Sequence, residues 1–294
     1  MSLAGLRPAR SISHGGRGRG RERETGALVA RLPRLPTALS SPSASPSAWS
    51  AAQRHATPSY LPDARAYDNA LVFARPRGAR ESVALLPDPY QMAGYGDLVE
   101  RASRDPVPWE RKRDVVFFAG TTTGDRDPAR NERIRACVWS LSRPAGEAFL
   151  RITNVAQMTP EACRAAVPRF DEVLHRPVAV HEHFDFKYQL NIAGNTCCWS
   201  RVPMVLASGC LLMHLRTHAD ALWYYPLLRE DEHYVAAPSI EAIPECRRRC
   251  VAQDAWCKEV AARGRRFREA YLTRGAAARY AAELLQEAAW LAKA

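Results

Sequence analysis

Ala193-Gly194-Asn195-Thr196 interrupts a strand pattern in which Tyr188, Leu190 and Ile192 alternate with Gln189 and Asn191, and Ser200-Arg201 follows shortly after. A small, polar, glycine-containing turn after a strand presents backbone N–H groups at the mouth of a sheet. Ser200 precedes an apolar run, Val202, Met204, Val205 and Leu206, with Pro203 in the first turn of what reads as a helix. The N-terminus of such a helix adds about half a positive charge. Arg201 in that turn supplies a forked cation suited to a diphosphate. Ser208-Gly209 ends the helix and Cys210-Leu211-Leu212-Met213 reads as the next buried strand. The order strand, glycine turn, helix, strand is a βαβ unit, whose bland reading is an ordinary piece of core.

A second loop of the same kind follows the buried strand Asp114–Phe118. It runs Ala119-Gly120-Thr121-Thr122-Thr123-Gly124-Asp125-Arg126, ahead of a helix over Asn131–Leu141 with Arg133 and Arg135 near its start. Two such loops about 75 residues apart predict two nucleotide-fold halves facing a cleft, because open α/β sheets bind ligands at the carboxyl ends of their strands.

Other constellations are less specific. His181, His183 and Asp185 share one face if their segment is a strand, and two imidazoles with a carboxylate suit a metal. No second ligand cluster stands at a suitable spacing, so a solvated strand edge is the simpler reading and no metal is expected. Asp125-Arg126-Asp127 has the form that holds a divalent ion on a diphosphate, but Asp127 before Pro128 is better explained as a turn cap. Cys197-Cys198 invites a nucleophile reading, yet no histidine stands at a diagnostic spacing, which favours packing thiols. None of the eight cysteines forms a Cys-x-x-Cys pair. Buried free thiols are expected, with a disulfide or two left open.

The elements that must position these loops can be read in chain order. The chain has 294 residues with 47% hydrophobic content, enough for one large domain or two modest ones. No uninterrupted apolar stretch approaches the ~18 residues of a transmembrane helix. The net charge is +11, but residues 1–60 hold nine arginines against two glutamates, so the remainder is nearly balanced and no nucleic-acid-binding face is indicated. Residues 1–58 are Arg-, Ser- and Pro-rich and form an arm expected to stay disordered. That arm is closer to a transit peptide than to a secretory signal, which leaves localisation unknown. Three Gly-Arg steps at residues 16–21 keep an RNA-binding arm as a weaker alternative.

Order is expected from about Ala70: short strands at Leu71–Phe73 and Val83–Leu86, a helix at Asp97–Ser103, a strand at Phe149–Thr153, a helix at Pro160–Arg169 and a strand at His233–Val235. Helical spacing runs from Glu245 to about Arg274 and from Ala276 to Leu291. Trp223, Tyr224 and Tyr225 could line an acceptor groove, though core packing is the expected role for most of them.

Leu86-Pro87-Asp88, Trp109, the run Val116–Gly124, the segment Lys187–Cys210, Trp223-Tyr224-Tyr225 and His233-Tyr234-Val235 stand in the order of the sequence blocks of glycosyltransferase family 90. That family includes the capsule-associated proteins and the Rumi-type protein O-glucosyltransferases, and the chain resembles it from roughly Asn69 to its end. The resemblance implies a GT-B-like α/β fold of two Rossmann-like halves, about 59–175 and about 176–294, with the first half apparently truncated and helices at the C-terminus. It implies an inverting, metal-independent transfer of glucose or xylose from a UDP-sugar to a hydroxyl of a protein or glycan acceptor, with no further cofactor. Gly194, Asn195, Thr196, Ser200 and Arg201 would hold the donor from one loop. Gly120, Thr121, Thr122, Thr123 and Arg126 or Arg133 would hold it from the other. Asp63 and Asp68 are the nearest candidates for the general base that must deprotonate the acceptor. Two positions depart from the family pattern: Ala193 stands for its aspartate and Ala119 for its arginine. A catalytically inactive member that binds a glycan or protein is therefore the alternative expectation. The family's eukaryotic members suggest the secretory lumen.

Overall fold

The computed structural model describes residues 71–72, 84–93, 97–104, 107–195, 198, 200–216 and 222–291. The expected disordered arm and the candidate bases Asp63 and Asp68 lie outside the described residues, as does Thr196. The chain divides into two compact units, one of residues 1–72, 78–84 and 284–294, the other of residues 73–77 and 85–283. Little of the first unit is described beyond the strand Leu71–Val72 and the end of the last helix.

The second unit is an α/β fold around a parallel five-stranded sheet. Its strands are β1 (Arg113–Thr121), β2 (Ala148–Asn154), β3 (Phe186–Asn191), β4 (Leu211–Leu215) and β5 (Val235–Ala237). They lie in the order β2-β1-β3-β4-β5, every neighbouring pair parallel. Ten helices accompany them among the described residues: α1 (Pro89–Met92), α2 (Asp97–Arg104), α3 (Glu132–Ser140), α4 (Pro160–Ala166), α5 (Phe170–Val173), α6 (Val180–His183), α7 (Arg201–Ala207), α8 (Ile243–Ala252), α9 (Asp254–Tyr271) and α10 (Arg274–Leu291).

The strands on both sides of residue 175 belong to one sheet. The two glycine loops follow the neighbouring strands β1 and β3 of this sheet. The physical reason is the crossover: a right-handed parallel connection can return the chain to either side of its starting strand. Here the connection after β2 carries the chain back past β1.

Val116 and Phe118 of β1, Leu150 and Ile152 of β2, and Tyr188 and Leu190 of β3 enter one core with Ile134 and Cys137 of α3 and Cys257 and Val260 of α9. Every residue of β3 is buried. The polar members of its alternation therefore do not face water, as they would in a half-solvated strand. Gln189 donates to the carbonyls of His183 (2.6 Å) and Phe186 (3.1 Å), and Asn191 bonds His214 (2.9 Å).

Some local expectations change. The segment holding His181 and His183 is the short helix α6, because the Glu182 carboxylate accepts the Ala179 N–H at its start (2.7 Å). The helix expected over residues 160–169 ends at Ala166 as α4, a separate α5 starts at Phe170, and the long C-terminal helix breaks at Gln253 into α8 and α9. Trp223 and Tyr224 are buried, and the Trp223 indole donates to Gln91 (2.7 Å) and stacks on Tyr280 (4.5 Å). Core packing is thus the role of Trp223. The seven described cysteines are free thiols.

At the amino ends of β1 and β3 a buried ammonium staples three elements. Lys187 Nζ lies 2.9 Å from Asp114 and 2.7 Å from Asp254 at the start of α9. The Trp109 indole N–H donates to the same Asp254 carboxylate (3.0 Å), and the Tyr188 hydroxyl reaches Asp114 (3.3 Å). Trp109 and Lys187, both among the family-like blocks, are thereby parts of the scaffold.

Helix α9 crosses α7 at Gly264. A Cβ there would sit 2.8 Å from Leu206 Cδ2 and 2.9 Å from the His233 carbonyl oxygen. Because one of those atoms is backbone, Gly264→Ala should cost about 1–3 kcal/mol in urea denaturation, the usual penalty of overpacking.

Candidate functional site at the topological switch point

In a sheet ordered β2-β1-β3-β4-β5 the chain leaves β1 toward β2 and later returns on the other side of β1. The loops after β1 and β3 therefore leave the sheet at its switch point, the place where doubly wound sheets bind ligands, and here they touch through Gly124 and Asn195. Both glycine loops stand there.

The loop after β1 is closed by Asn131, which is fully buried. Its Oδ1 accepts the Ile134 N–H (3.2 Å) and caps α3, while its Nδ2 donates to the carbonyls of Thr122 (2.8 Å) and Asp125 (2.9 Å). Sequence reading gave Asn131 only a place at the helix start; an Asn directly before Glu132 is the signal that marks a cap. Thr122 is turned inward, its hydroxyl accepting the Ala156 N–H (2.8 Å) and donating to the Ala156 carbonyl (2.9 Å). It is a scaffold residue and offers nothing to a ligand. Thr121 and Thr123 are half-buried with hydroxyls 3.2 Å apart, and Arg126 is exposed. Asp125 and Asp127 both pair with Arg130 (3.3 and 3.2 Å), and among the described residues no group of three ligands suits a metal.

Arg133, in the first turn of α3, crosses from one loop to the other. Its Nε donates to the Ala193 carbonyl (3.1 Å) and its Nη2 to the Ile192 carbonyl (3.1 Å) and Cys198 Sγ (3.1 Å). Its Nη1 donates to the Thr121 carbonyl (3.1 Å) and Thr123 Oγ1 (2.6 Å). A guanidinium carries five N–H donors, and here all three of its nitrogens are engaged by the protein. Arg133 therefore positions both loops, a different role from the direct donor contact expected of it. Gly194 makes this close approach feasible: a Cβ there would lie 2.8 Å from Thr123 Oγ1 and 2.9 Å from Arg133 Nη2.

Arg201, the first residue of α7, reaches under the loop after β1. Its Nη2 donates to the Ala119 carbonyl (2.6 Å) and its guanidinium lies 4.6 Å from the Phe118 ring centroid. Its Nη1 is buried with no hydrogen-bond partner among the described residues. Burial, and then the like charge of Arg133, pushes its pKa down to about 10, while the neighbouring Cys198 thiol acts in the other direction. It stays a cation at neutral pH. Ser200 stands at the N-cap of α7 without a capping hydrogen bond from its hydroxyl. Gly120 lies against Arg201: a Cβ on it would stand 3.3 Å from Arg201 Nη2.

Neither Arg133 nor Arg201 has a carboxylate partner among the described residues. Among the described residues two guanidiniums thus meet at the switch point without a counter-charge, an arrangement that suits an anionic ligand.

His214 near the end of β4 and His183 of α6 are held neutral. Burial, with nearby arginines acting the same way, pushes each down to about 4 from an ordinary 6.5. The unfolded chain takes up protons below 6.5 that the folded chain refuses until about 4, so stability should fall across that window as pH is lowered. Denaturation series at successive pH values measure the slope, and His183→Phe should flatten it.

A family model described as glycosyl transferase family 90 matches residues 95–294. "Uncharacterized protein 179R" of Invertebrate iridescent virus 6 is 26% identical over 209 residues, covering 57% of this chain and 16% of that protein. Among solved structures, sucrose-phosphate synthase from Thermosynechococcus elongatus aligns at 12% identity with a TM-score of 0.41, over 70% of this chain and 52% of that one. The C-terminal domain of a group 1 family glycosyl transferase (LpcC) from Francisella tularensis aligns at 12% and 0.37, over 64% and 95%. WaaG, a glycosyltransferase involved in lipopolysaccharide biosynthesis, aligns at 13% and 0.38, over 68% and 56%. The chain spans about one sixth of the viral relative's length and about half of sucrose-phosphate synthase's.

Proposed function

The chain belongs to glycosyl transferase family 90, and from that membership we propose that it takes a UDP-sugar at the β1–β3 switch point and transfers glucose or xylose to a hydroxyl of a protein or glycan. The observation that carries the reading is the pair of arginines without a carboxylate partner among the described residues, one of them with a buried Nη1 that finds no hydrogen-bond partner among them. In the reaction the acceptor oxygen bonds to the anomeric carbon as the bond from that carbon to the diphosphate oxygen breaks. The bonding electrons leave with UDP, and a general base takes the acceptor proton. Attack opposite the leaving group inverts the anomeric centre. Without a metal, the negative charge growing on UDP falls to fixed N–H donors and guanidinium, which act before any reorganisation is needed. Arg201 is the direct cation in this reading, with Gly120 against it, and backbone groups at Thr121, Thr123 and Gly194 are the further contacts expected of the two loops. Ser200 and Arg126 are further contacts, and Arg133 holds the loops together. One sheet of this kind is half of a GT-B enzyme, and acceptor and base belong to the other half.

A second reading, a member that binds its ligand without catalysis, is favoured by a specific observation. The carboxylates on the loop after β1, Asp125 and Asp127, are both neutralised by Arg130, and Ala119 and Ala193 carry no polar side chain.

Calorimetric titration of the full chain with UDP, UDP-glucose and UDP-xylose in EDTA tests the site. Micromolar binding of UDP is expected, with Arg201→Ala weakening it more than tenfold; a folded protein that binds none of the three overturns the reading. Sugar transfer or donor hydrolysis by the same sample separates the enzyme from the inactive binder.

A further inference from the structure

The two switch-point loops are joined through groups that a diphosphate would also use. Gly124 N–H donates to Asn195 Oδ1 (2.9 Å), a bond from the loop after β1 to the loop after β3. Gly124 has φ +133°, a conformation that side-chain-bearing residues rarely adopt, and a Cβ there would stand 3.5 Å from the Gly194 carbonyl oxygen. The Thr123 hydroxyl beside it is held by Arg133 (2.6 Å). We propose that Asn195 sets the affinity of this site: its amide oxygen competes with a diphosphate for the Gly124 N–H, and the ligand binds by displacing that one bond while the Arg133 clamp keeps the loops side by side. The proposal rests on the donor-site reading above and assigns Asn195 an opposing role in place of a direct contact to the donor.

The exchange runs toward the ligand for a simple reason. Asn195 offers a neutral oxygen, whereas a phosphate oxygen is charged, and a hydrogen bond to an ionised acceptor is roughly twice as strong. Affinity is nevertheless reduced by the fraction of molecules in which the Gly124–Asn195 bond is closed, because only molecules with that bond open bind. Removing the competing oxygen should therefore tighten binding, whereas removing a true ligand would loosen it.

The test uses the full chain, with inorganic pyrophosphate and UDP as probes titrated in EDTA. Asn195→Ala should bind both about three- to tenfold more tightly, the factor that one net hydrogen bond is worth. Asn195→Asp should bind them more weakly by a similar factor, because its carboxylate holds Gly124 N–H more firmly and repels the diphosphate. Unchanged or weaker binding in Asn195→Ala overturns the proposal. Asn195→Ser, whose hydroxyl is too short to span the gap, replaces the alanine variant if that one does not fold.

A second measurement needs no ligand. Amide hydrogen exchange over residues 121–131 should rise in Asn195→Ala, and unchanged protection overturns the latch even when UDP binds. Faster exchange with no binding of either probe by any variant has a separate meaning: the donor-site reading fails, and the affinity role of Asn195 fails with it, while the loop contact stands.

Discussion

Arg133→Met should destabilise the protein by about 4 kcal/mol and reduce UDP binding below detection in a calorimetric titration. The stability loss follows from what the guanidinium leaves behind. The carbonyls of Thr121, Ile192 and Ala193 lose a charged donor at once, and a buried acceptor left unpaired costs about 1–3 kcal/mol. Some of these oxygens recover water, which keeps the total near the upper end of ordinary single-residue effects. The binding loss follows from the same contacts, because they are what holds the loops after β1 and β3 side by side. Arg133→Lys should rescue little. One compact ammonium cannot reproduce a planar fork that reaches both loops. Urea denaturation checks the first number. Retention of near-wild-type UDP affinity by a folded Arg133→Met protein would show that the loops keep their arrangement without the clamp.

The second large effect is expected at the opposite end of the sheet. Lys187→Met should cost about 2–3 kcal/mol, because it leaves the Asp114 and Asp254 carboxylates close together with their shared ammonium gone. Both acids are nearly half exposed, so water offsets part of the penalty that a fully buried broken pair would carry. The pH dependence identifies the mechanism. Burial acts to raise the Asp254 carboxyl, but hydrogen bonds from Lys187 and Trp109 hold it below its ordinary 3.8. Its contribution is complete above that value and is lost as pH falls through the lower folded value. Burial likewise acts to lower Lys187, and the two carboxylates more than reverse this, raising it above 10.5. That contribution is complete below 10.5 and is lost as pH rises through the higher folded value. Wild-type stability measured by denaturation should therefore weaken at both extremes on account of this cluster. Lys187→Met should lose the alkaline part and most of the acid part.

The strands and most helices were legible from local pattern. Phe117 and Phe118 in an apolar run mark β1, and Asn131 ahead of Glu132 marks the start of α3, because apolar periodicity and end caps are local properties of the chain. The sequence blocks from Leu86 to Val235 were likewise sufficient to point to the family that the match over residues 95–294 establishes. Whether the segment at His181 is helix or strand stayed open in the sequence because its stabilising contact, the Glu182 carboxylate on the Ala179 N–H, is a choice between two local hydrogen-bonding options that residue types alone do not rank.

The roles within the site were a different matter. Arg133 and Arg201 are the same residue type, each in the first turn of a helix after a glycine loop, and by sequence both suit a diphosphate. Only the sheet order decides between them. With β3 placed beside β1, Arg133 falls between two sets of carbonyls and spends its donors there, while Arg201 keeps one buried nitrogen without a partner among the described residues. Trp109 and Lys187 illustrate the same limit at the far end, where Asp254, distant in sequence, turns family-like residues into a staple. The sequence by itself determined the elements, the family and the chemistry available in the two loops. The tertiary structure decided which of those groups remain available, because hydrogen-bond donors are finite and their partners are set by contacts between distant parts of the chain.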